Sequence, residues 1–180
     1  PGKLLTLDRE PARYSVGGSP TLAKFAYDDR CLYVAANVTM FGPAKVSTNS
    51  VWGKDDAVEI SIAGKTSDGQ AATFVVRGFA GGALQSATDA GAPAAAAARL
   101  ARETRFAVKS SGGPGGSLFG RGWRGEWAIP FEALGLKPAP GLKVAFNMAA
   151  FYSEFGEWRC WEGTGAENWR LDQAGTLQLK

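Results

Sequence analysis

Apolar side chains recur at every second position along much of this chain, which is the spacing of a half-buried β-strand. The run Cys31–Met40 shows the pattern most clearly, with apolar residues at its even positions and more polar residues at its odd positions. By the same pattern we predict further strands at Thr21–Tyr27, Ala57–Ile62, Thr73–Arg77, Ala83–Ser86, Thr104–Lys109, Trp123–Ile129, Lys143–Tyr152, Glu157–Glu162 and Thr176–Leu179.

Little of the sequence favours helix. The alanine run Ala94–Ala98 predicts one brief helix, and Pro130–Leu134 predicts a single helical turn that Gly135 closes. Gly112–Gly116 is a glycine-proline loop. About nine or ten short strands with turn signals between them predict an all-β fold. We expect a two-sheet antiparallel β-sandwich of the distorted jelly-roll or immunoglobulin-like kind.

Length and charge limit the functional classes. The 180 residues suit one sandwich, so we expect a single domain over residues 1–180, and a monomer. The net charge of +3 is scattered without a basic run, which argues against a nucleic-acid partner. No apolar run is long enough to span a bilayer. Because the chain opens at Pro1 without an initiator methionine, we interpret it as a processed or excised part of a larger protein.

Catalytic chemistry is poorly represented. The sequence has no histidine, which removes histidine-based triads and histidine-ligated zinc or haem. A glycosidase-type pair of carboxylates needs a separation of about 5 to 9 Å, and the candidates are Glu59, Glu126, Asp55 and Asp56. Most carboxylates on a sheet face are structural or solvated, so we expect no enzymatic activity.

The two cysteines leave two alternatives open. Cys31 and Cys160 lie far apart in the sequence and lack metal-ligand spacing. They form either one disulfide or two separate half-buried thiols.

Two tryptophans lie in polar, glycine-containing loops, a poor setting for a core residue. Trp52 precedes the sequence GKDD, and Trp169 follows GTGAEN. A sugar ring has an apolar face and a rim of hydroxyls, so its site needs a flat aromatic surface and planar polar groups together. The two loop tryptophans are candidates to clamp one ring, and the alternative is that each covers an edge of the sandwich.

Polar groups for such a site are available on the strands. Alternation places Glu59, Arg77 and Asn147 on the outward faces of their strands, and we expect Glu59 to be the main acceptor of sugar hydroxyls. The alternative is a solvated polar sheet face. Trp158 stands at an even position and Trp161 at an odd one, so in one strand their side chains point to opposite faces. One of the two should therefore face outward and line the site.

Four segments together resemble the family 9 carbohydrate-binding modules known from xylanases and other secreted glycan-active proteins. These segments are Ala26–Val34, Trp52–Ile60, Gly125–Phe131 and Asn168–Leu177. The resemblance implies a distorted β-sandwich in which two tryptophans sandwich a terminal sugar. The residues concerned are Trp52, Trp169, Glu59 and Asn168.

The resemblance also implies partners, a location and a metal. The partners are an oligo- or polysaccharide and a catalytic domain of the same polypeptide that takes part in polysaccharide degradation. The location is extracellular or periplasmic. Structural calcium is implied, and paired acids at turns are suitable hard ligands: Asp28, Asp29, Asp55 and Asp56. For each pair the alternative is a simple Asx-type turn.

Two other functions compete with sugar binding. One is a structural spacer that has lost its sugar site, because Val75 and Ala149 stand where the family's binders carry an arginine and an amide. The other is haem binding, with Met40 or Met148 and a lysine as axial ligands. Both methionines fit core strands, which favours packing.

Overall fold

A computed structural model describes residues 4–7, 12–15, 21–40, 45–111, 121–165 and 167–180. The predicted loop at 112–116 lies outside these residues. The elements are the strands β1 (Leu4–Leu7), β2 (Ala12–Ser15), β3 (Leu22–Tyr27), β4 (Cys31–Met40), β5 (Ala57–Lys65), β6 (Ala71–Phe79), β7 (Leu84–Ala87), β8 (Arg105–Ser111), β9 (Arg121–Pro130), β10 (Lys143–Tyr152), β11 (Glu157–Cys160) and β12 (Gly175–Leu179), the helix α1 (Ala94–Glu103), and a 3-10 helix (Leu171–Gln173).

The strands form two sheets. The larger sheet has the order β1-β12-β10-β5-β6-β7, and β11 pairs with the second half of β10. The smaller sheet has the order β2-β3-β4-β9-β8. The predicted two-sheet β-sandwich is confirmed. Among the described strand pairs, β1 with β12 is the parallel exception to an antiparallel arrangement. Within the described residues, no helix is both long and apolar enough to cross a membrane.

The core lies between the two sheets and uses the inward positions that alternation predicts. The even positions of β4 are at most 2% exposed. In the larger sheet Val58, Ile60, Ile62, Phe74 and Val76 are at most 1% exposed. Both candidate haem ligands, Met40 and Met148, are buried core residues at 1% and 0% exposure. This burial leaves the opposite face of the larger sheet free to carry polar groups.

Two local predictions differ from the structure. The helix continues past Ala98 to Glu103, because Ala97 and Leu100 bury one face and Arg99 pairs with Glu103 at 2.9 Å. The turn predicted at Pro130–Leu134 is displaced by one residue and lies at 131–135.

Pro130 is the last residue of β9, and a turn follows it in which Gly135 has φ of 62°. The N–H groups of Leu134 and Leu136 both bond to the carbonyl of Phe131, at 3.1 and 2.9 Å. The N–H of Gly135 bonds in turn to the carbonyl of Glu132 at 3.0 Å, and these bonds make one tight turn that Gly135 closes.

Two glycines make room for the indole of Trp127, which is 2% exposed. Gly78 belongs to the opposite sheet, and a Cβ there would lie 2.4 Å from Trp127 Cζ2. A Cβ on Gly125, in the same strand as Trp127, would lie 2.4 Å from its Cη2. Real Cβ atoms do not approach other atoms this closely. The two sheets can therefore pack around Trp127 only because Gly78 and Gly125 have no side chain.

We therefore predict that Gly78→Ala lowers the free energy of unfolding by about 1–3 kcal/mol, the cost of overpacking a filled core. Urea denaturation measures the change. Gly163→Ala is the matched control, because a Cβ at that position would meet nothing within 4 Å. Equal stability losses in the two variants would contradict the packing argument.

Candidate functional site

Side chains on the outer face of the larger sheet form rows across the strands, since paired residues point to the same side. The row nearest the end of β10 is aromatic; it consists of Trp158, Phe151, Ala57 and Phe79. The next row is polar; it consists of Cys160, Ala149, Glu59, Arg77 and Gln85. We call these the aromatic row and the polar row. Ala57 and Ala149 project least from the sheet in the two rows, because their side chains end at Cβ.

A buried ion pair occupies the middle of the polar row. Arg77 Nε donates to Glu59 Oε2 at 2.8 Å, with the side chains 8% and 2% exposed. Asn168 Nδ2 donates to Glu59 Oε1 at 3.2 Å, and Arg77 Nη2 donates to Asp89 Oδ2 at 2.6 Å. Burial raises the pKa of the Glu59 carboxyl, while the hydrogen bonds from Arg77 and Asn168 act in the opposite direction. Glu59 and Arg77 thus face outward, as alternation predicts, but they are covered by loops.

Asn147 lies in the next row on the same face, opposite Ser61, and uses its whole amide within the protein. Its Nδ2 donates to the carbonyls of Glu162 and Asn168 at 3.1 and 3.0 Å. Its Oδ1 accepts from the N–H groups of Met148 and Glu162 at 2.9 and 3.1 Å. With 0% exposure, Asn147 fixes the backbone of the loop that carries Trp169 and leaves no polar group for a ligand.

Trp52 lies over the outer face of the larger sheet. The guanidinium carbon of Arg77 is 3.8 Å from the centroid of its ring, a cation–π contact. Phe79 meets it edge-on with the ring centroids 6.4 Å apart, and Trp158 lies beside it at 4.6 Å. One face of the Trp52 indole is therefore covered by Arg77, and the residue remains partly exposed.

Trp169 is carried by the loop between β11 and the 3-10 helix. Thr164 Oγ1 donates to the carbonyl of Glu167 at 2.8 Å, and the N–H of Arg170 donates to the same carbonyl at 3.1 Å. These bonds tighten the loop on either side of Trp169, which is partly exposed.

The two loops and the polar row enclose a cleft of about 440 Å³. Its described lining is Trp52, Glu59, Arg77, Asp89, Trp158, Cys160, Glu167, Asn168 and Trp169. Five of the six residues predicted for a sugar site thus line one cleft, although Trp52 and Trp169 come from distant parts of the chain. The sixth, Asn147, lies behind the loop.

Four lining residues were not among the six residues predicted for the sugar site: Asp89, Trp158, Cys160 and Glu167. Asp89 lies between β7 and α1, and nothing in the sequence pattern points to it. Glu167 is an exposed loop acid next to the predicted Asn168. Trp158 is 37% exposed and faces the cleft, whereas Trp161 is 6% exposed and lies in the core. The difference in parity had indicated that one of these two would face outward.

The carboxylates considered for glycosidase chemistry are not brought together. Glu59 lies on the larger sheet and Glu126 on the smaller one, where it pairs with Arg124. Asp55 and Asp56 are enclosed by the loop before β5.

The cysteines are two separate thiols, one in each sheet. Cys31 begins β4, and Cys160 ends β11 with its Sγ 2.6 Å from Asn168 Oδ1. Burial raises the pKa of both thiols. Of the two alternatives left by the sequence, the structure has the separate thiols.

The aspartates named as calcium ligands accept hydrogen bonds from the protein. Asp55 accepts from the hydroxyl of Ser47 and from the N–H of Val51, the latter at 2.8 Å. Asp56 accepts from the N–H of Ser47 at 2.7 Å and from the N–H and hydroxyl of Ser153 at 3.0 and 2.8 Å. These donors tie the Trp52 loop to the turn before β11.

Asp28 forms an Asx-type turn, accepting from the N–H groups of Arg30 and Cys31 at 2.8 and 2.7 Å. Tyr33 also donates to it, and these bonds lower the pKa of Asp28. Asp29 is exposed at the same turn. Among the described residues, no group of three or more histidines, cysteines and acids is placed to hold a metal. Calcium binding at these four aspartates stays a prediction.

The fold agrees with that of solved carbohydrate-binding proteins. A family 9 carbohydrate-binding module from Caldicellulosiruptor kristjanssonii, in complex with cellotriose, matches with a TM-score of 0.65 and 19% identity over 99% of this chain and 94% of its own. The same kind of module in complex with glucose gives 0.63 and 20% identity over 99% and 96%. A putative carbohydrate-binding protein from Bacteroides uniformis gives 0.66 and 15% identity over 100% of both chains.

No protein-family model and no curated protein matches the sequence. The likeness is therefore one of fold, spread over nearly the whole chain at low identity. The resemblance predicted from the four sequence segments is confirmed at that level: the chain has the β-sandwich of the family 9 carbohydrate-binding modules.

We predict that Asn147→Asp disorders the Trp169 loop. An ionised carboxylate donates no hydrogen bond, so two buried carbonyls lose their donor, at a cost of about 1–3 kcal/mol for each unsatisfied group. Urea denaturation measures the stability, and hydrogen exchange at residues 162–170 measures the loop. Asn37→Asp, the same change at an exposed position of β4, is the control. Unchanged exchange in the loop would show that Asn147 does not hold it.

Proposed function

We propose that this protein binds a neutral carbohydrate without altering it, holding one sugar ring between Trp52 and Trp169. The observation that carries the proposal is that these two loop tryptophans line one cleft with the Glu59–Arg77 pair and Asn168. The relatives in fold described above support the same class of ligand. The cleft volume of about 440 Å³ lies within the usual range of small-molecule sites.

The chemistry of the cleft suits a sugar on two counts. The indole faces supply apolar surface for the C–H face of a ring. Each oxygen of the Glu59 carboxylate accepts one protein hydrogen bond and retains capacity for a sugar hydroxyl. Arg77, Phe79 and Trp158 hold Trp52 in place, and the part of its indole that stays exposed is available to the ligand.

The charge of the cleft favours a neutral sugar over an acidic one. Its described lining holds three carboxylates, Glu59, Asp89 and Glu167, against the single guanidinium of Arg77. Arg77 already bonds to two of the three. A uronic acid or sulfated sugar would add a further anion beside this excess, whereas hydroxyl groups meet acceptors.

We further propose that the protein is an accessory module, joined to a catalytic domain of a secreted or periplasmic protein that acts on glycans. Binding then keeps the partner domain close to its polysaccharide and raises the local concentration of substrate.

A structural spacer is the second candidate, and one observation favours it. Much of the polar capacity of the site is used internally: Glu59 is bonded by Arg77 and Asn168, and the amide of Asn147 is fully bonded to protein groups. A spacer with this structure would bind no sugar, so a titration distinguishes the two functions.

The proposed clamp predicts that Trp52→Ala and Trp169→Ala each weaken sugar binding by about 1–3 kcal/mol, the value of a lost aromatic contact with its buried area. Isothermal titration against glucose, galactose, mannose, xylose and their oligomers measures it. Phe155→Ala is the matched control, since Phe155 is 52% exposed and absent from the cleft lining. A wild-type protein that binds no member of the panel would contradict the proposed sugar binding and favour the spacer.

The charge argument predicts that glucose binds at least about fivefold more tightly than glucuronic acid at low salt, and that added salt narrows the difference. Glu167→Gln should reduce the preference because it removes one rim carboxylate. Glu154→Gln, an exposed acid outside the cleft lining, should leave it unchanged. Tighter binding of the uronic acid would contradict the assignment.

A further inference from the structure

We infer that the outer face of the smaller sheet binds an acidic polysaccharide, at a site separate from the cleft. The exposed charged side chains described on this face, which we call the basic face, are four cations and one acid: Lys24, Arg105, Lys109, Arg124 and Glu126. Their formal net charge of +3 equals that of the whole chain, so the charges of all other residues cancel. The cations are scattered in the sequence, and strand pairing gathers them on one surface.

The strands also set how these charges are spaced. Lys109 lies directly opposite Arg124 on the neighbouring strand, and Arg105 precedes Lys109 on β8 by about 13 Å along the strand. Lys24 lies on β3, two strands away from the β9 strand of Arg124. Separations of about 5 to 13 Å are comparable with the Debye length of about 10 Å at 0.1 M salt, so the fields of these cations overlap.

Most of this positive charge has no counter-ion within the described part of the chain. There, Lys24, Arg105 and Lys109 take part in no ion pair, and Glu126 pairs with Arg124 alone. Like charges directly opposite each other, as at Lys109 and Arg124, destabilise a sheet. An anion lying on the face would relieve this repulsion.

The shape of the basic face suits a hydrated polymer rather than a protein or a membrane. Ala35 and Ala107 keep the surface low between the charged side chains. Among the described residues of the face, Leu22 is the large apolar side chain left exposed, at 37%, and the hydroxyl of Tyr33 is bonded to Asp28. Protein interfaces are enriched in aromatic residues and depleted in lysine, and binding in a membrane interface needs large apolar side chains.

The choice of a polysaccharide among polyanions rests on the proposed function. The cleft has an excess of carboxylates and lies on the other sheet, so the two faces favour sugars of opposite charge. A small anion could contact one or two of the spaced cations, whereas a polymer with a carboxylate on every unit contacts several at once and gains from avidity. The protein would then hold a neutral chain in its cleft while an acidic chain lies across its basic face.

The test measures binding of polygalacturonate, which has one carboxylate per unit, by isothermal titration at low salt, with the highly methyl-esterified polymer as the uncharged control. Wild type should bind the acidic polymer, bind the ester far more weakly, and lose affinity as salt is added. Lys24→Gln/Lys109→Gln should weaken binding by about two- to thirtyfold, the value of two exposed ion pairs. Lys65→Gln/Lys143→Gln removes the same charge from exposed positions of the larger sheet and should bind as wild type.

Four results would overturn the inference. One is a wild-type protein that does not bind polygalacturonate at low salt, and another is an equal loss in the two double variants, because net charge alone would then account for binding. The third is competition by glucose, which would place the polymer in the cleft. The fourth is a DNA duplex that binds more tightly than polygalacturonate and depends on the same two lysines.

The inference and the proposed function fail separately in this experiment. A protein that binds polygalacturonate through Lys24 and Lys109 but binds no neutral sugar would contradict the proposed cleft function and leave the basic face as a polyanion site. A protein that binds glucose but not polygalacturonate would overturn the inference alone.

Discussion

The buried ion pair between Glu59 and Arg77 is the interaction on which the cleft depends. A charge removed from water is tolerated only when it is paired and hydrogen-bonded, and both members of this pair are almost fully covered. Each therefore requires partners from elsewhere: Asn168 bonds the carboxylate, and Asp89 bonds the guanidinium. Arg77 also supports the indole of Trp52. Because this one ion pair contacts all of them, the loops that carry Trp52, Asp89 and Asn168 meet at the same point of the sheet.

Two buried polar side chains, those of Asp56 and Asn147, hold the loops there by hydrogen bonds to more than one segment of the chain. Asp56 joins the loop before β5 to the turn before β11, through donors on Ser47 and Ser153. Asn147 bonds the loop of Trp169 through both of its amide atoms. These polar side chains are fully enclosed at 0% exposure, so each unmade bond would leave a buried group unpaired. The exposed tryptophans consequently rest on a polar framework that tolerates little displacement.

Much of this could be predicted from alternation alone, because a strand's side chains point to opposite faces in strict sequence. That rule placed the bounds of β4 and β10, the inward residues of β5 and β6, and the outward Glu59 and Arg77. The alternation does not show which hydrogen-bond partner a polar side chain has. Whether an amide such as Asn147 meets a sugar or a backbone carbonyl depends on a loop far away in the sequence.

The partners of carboxylates at turns are equally hard to predict from the sequence. An oxygen of Asp28 or Asp55 is an equally good acceptor for a metal ion or for an N–H group, so paired acids at a turn fit both readings. The sequence segments also resemble a family that carries calcium, which favoured the metal. Only the position of neighbouring donors separates the two, and those donors include residues such as Ser47 and Tyr33 whose own placement is a tertiary property.

The long sequence separations across the cleft have a consequence for how the protein acquires its site. The bond between Asn168 and Glu59 spans 109 residues, and the bonds between Asp56 and Ser153 span 97. Contacts between residues this far apart in the sequence form only when the chain between them has closed into a loop, and the entropy cost of that closure delays them. The pairing of β5 with β10 joins equally distant parts of the chain, with a separation of 90 residues between Glu59 and Ala149, so the same loop closure that completes the centre of the larger sheet also brings the walls of the cleft together.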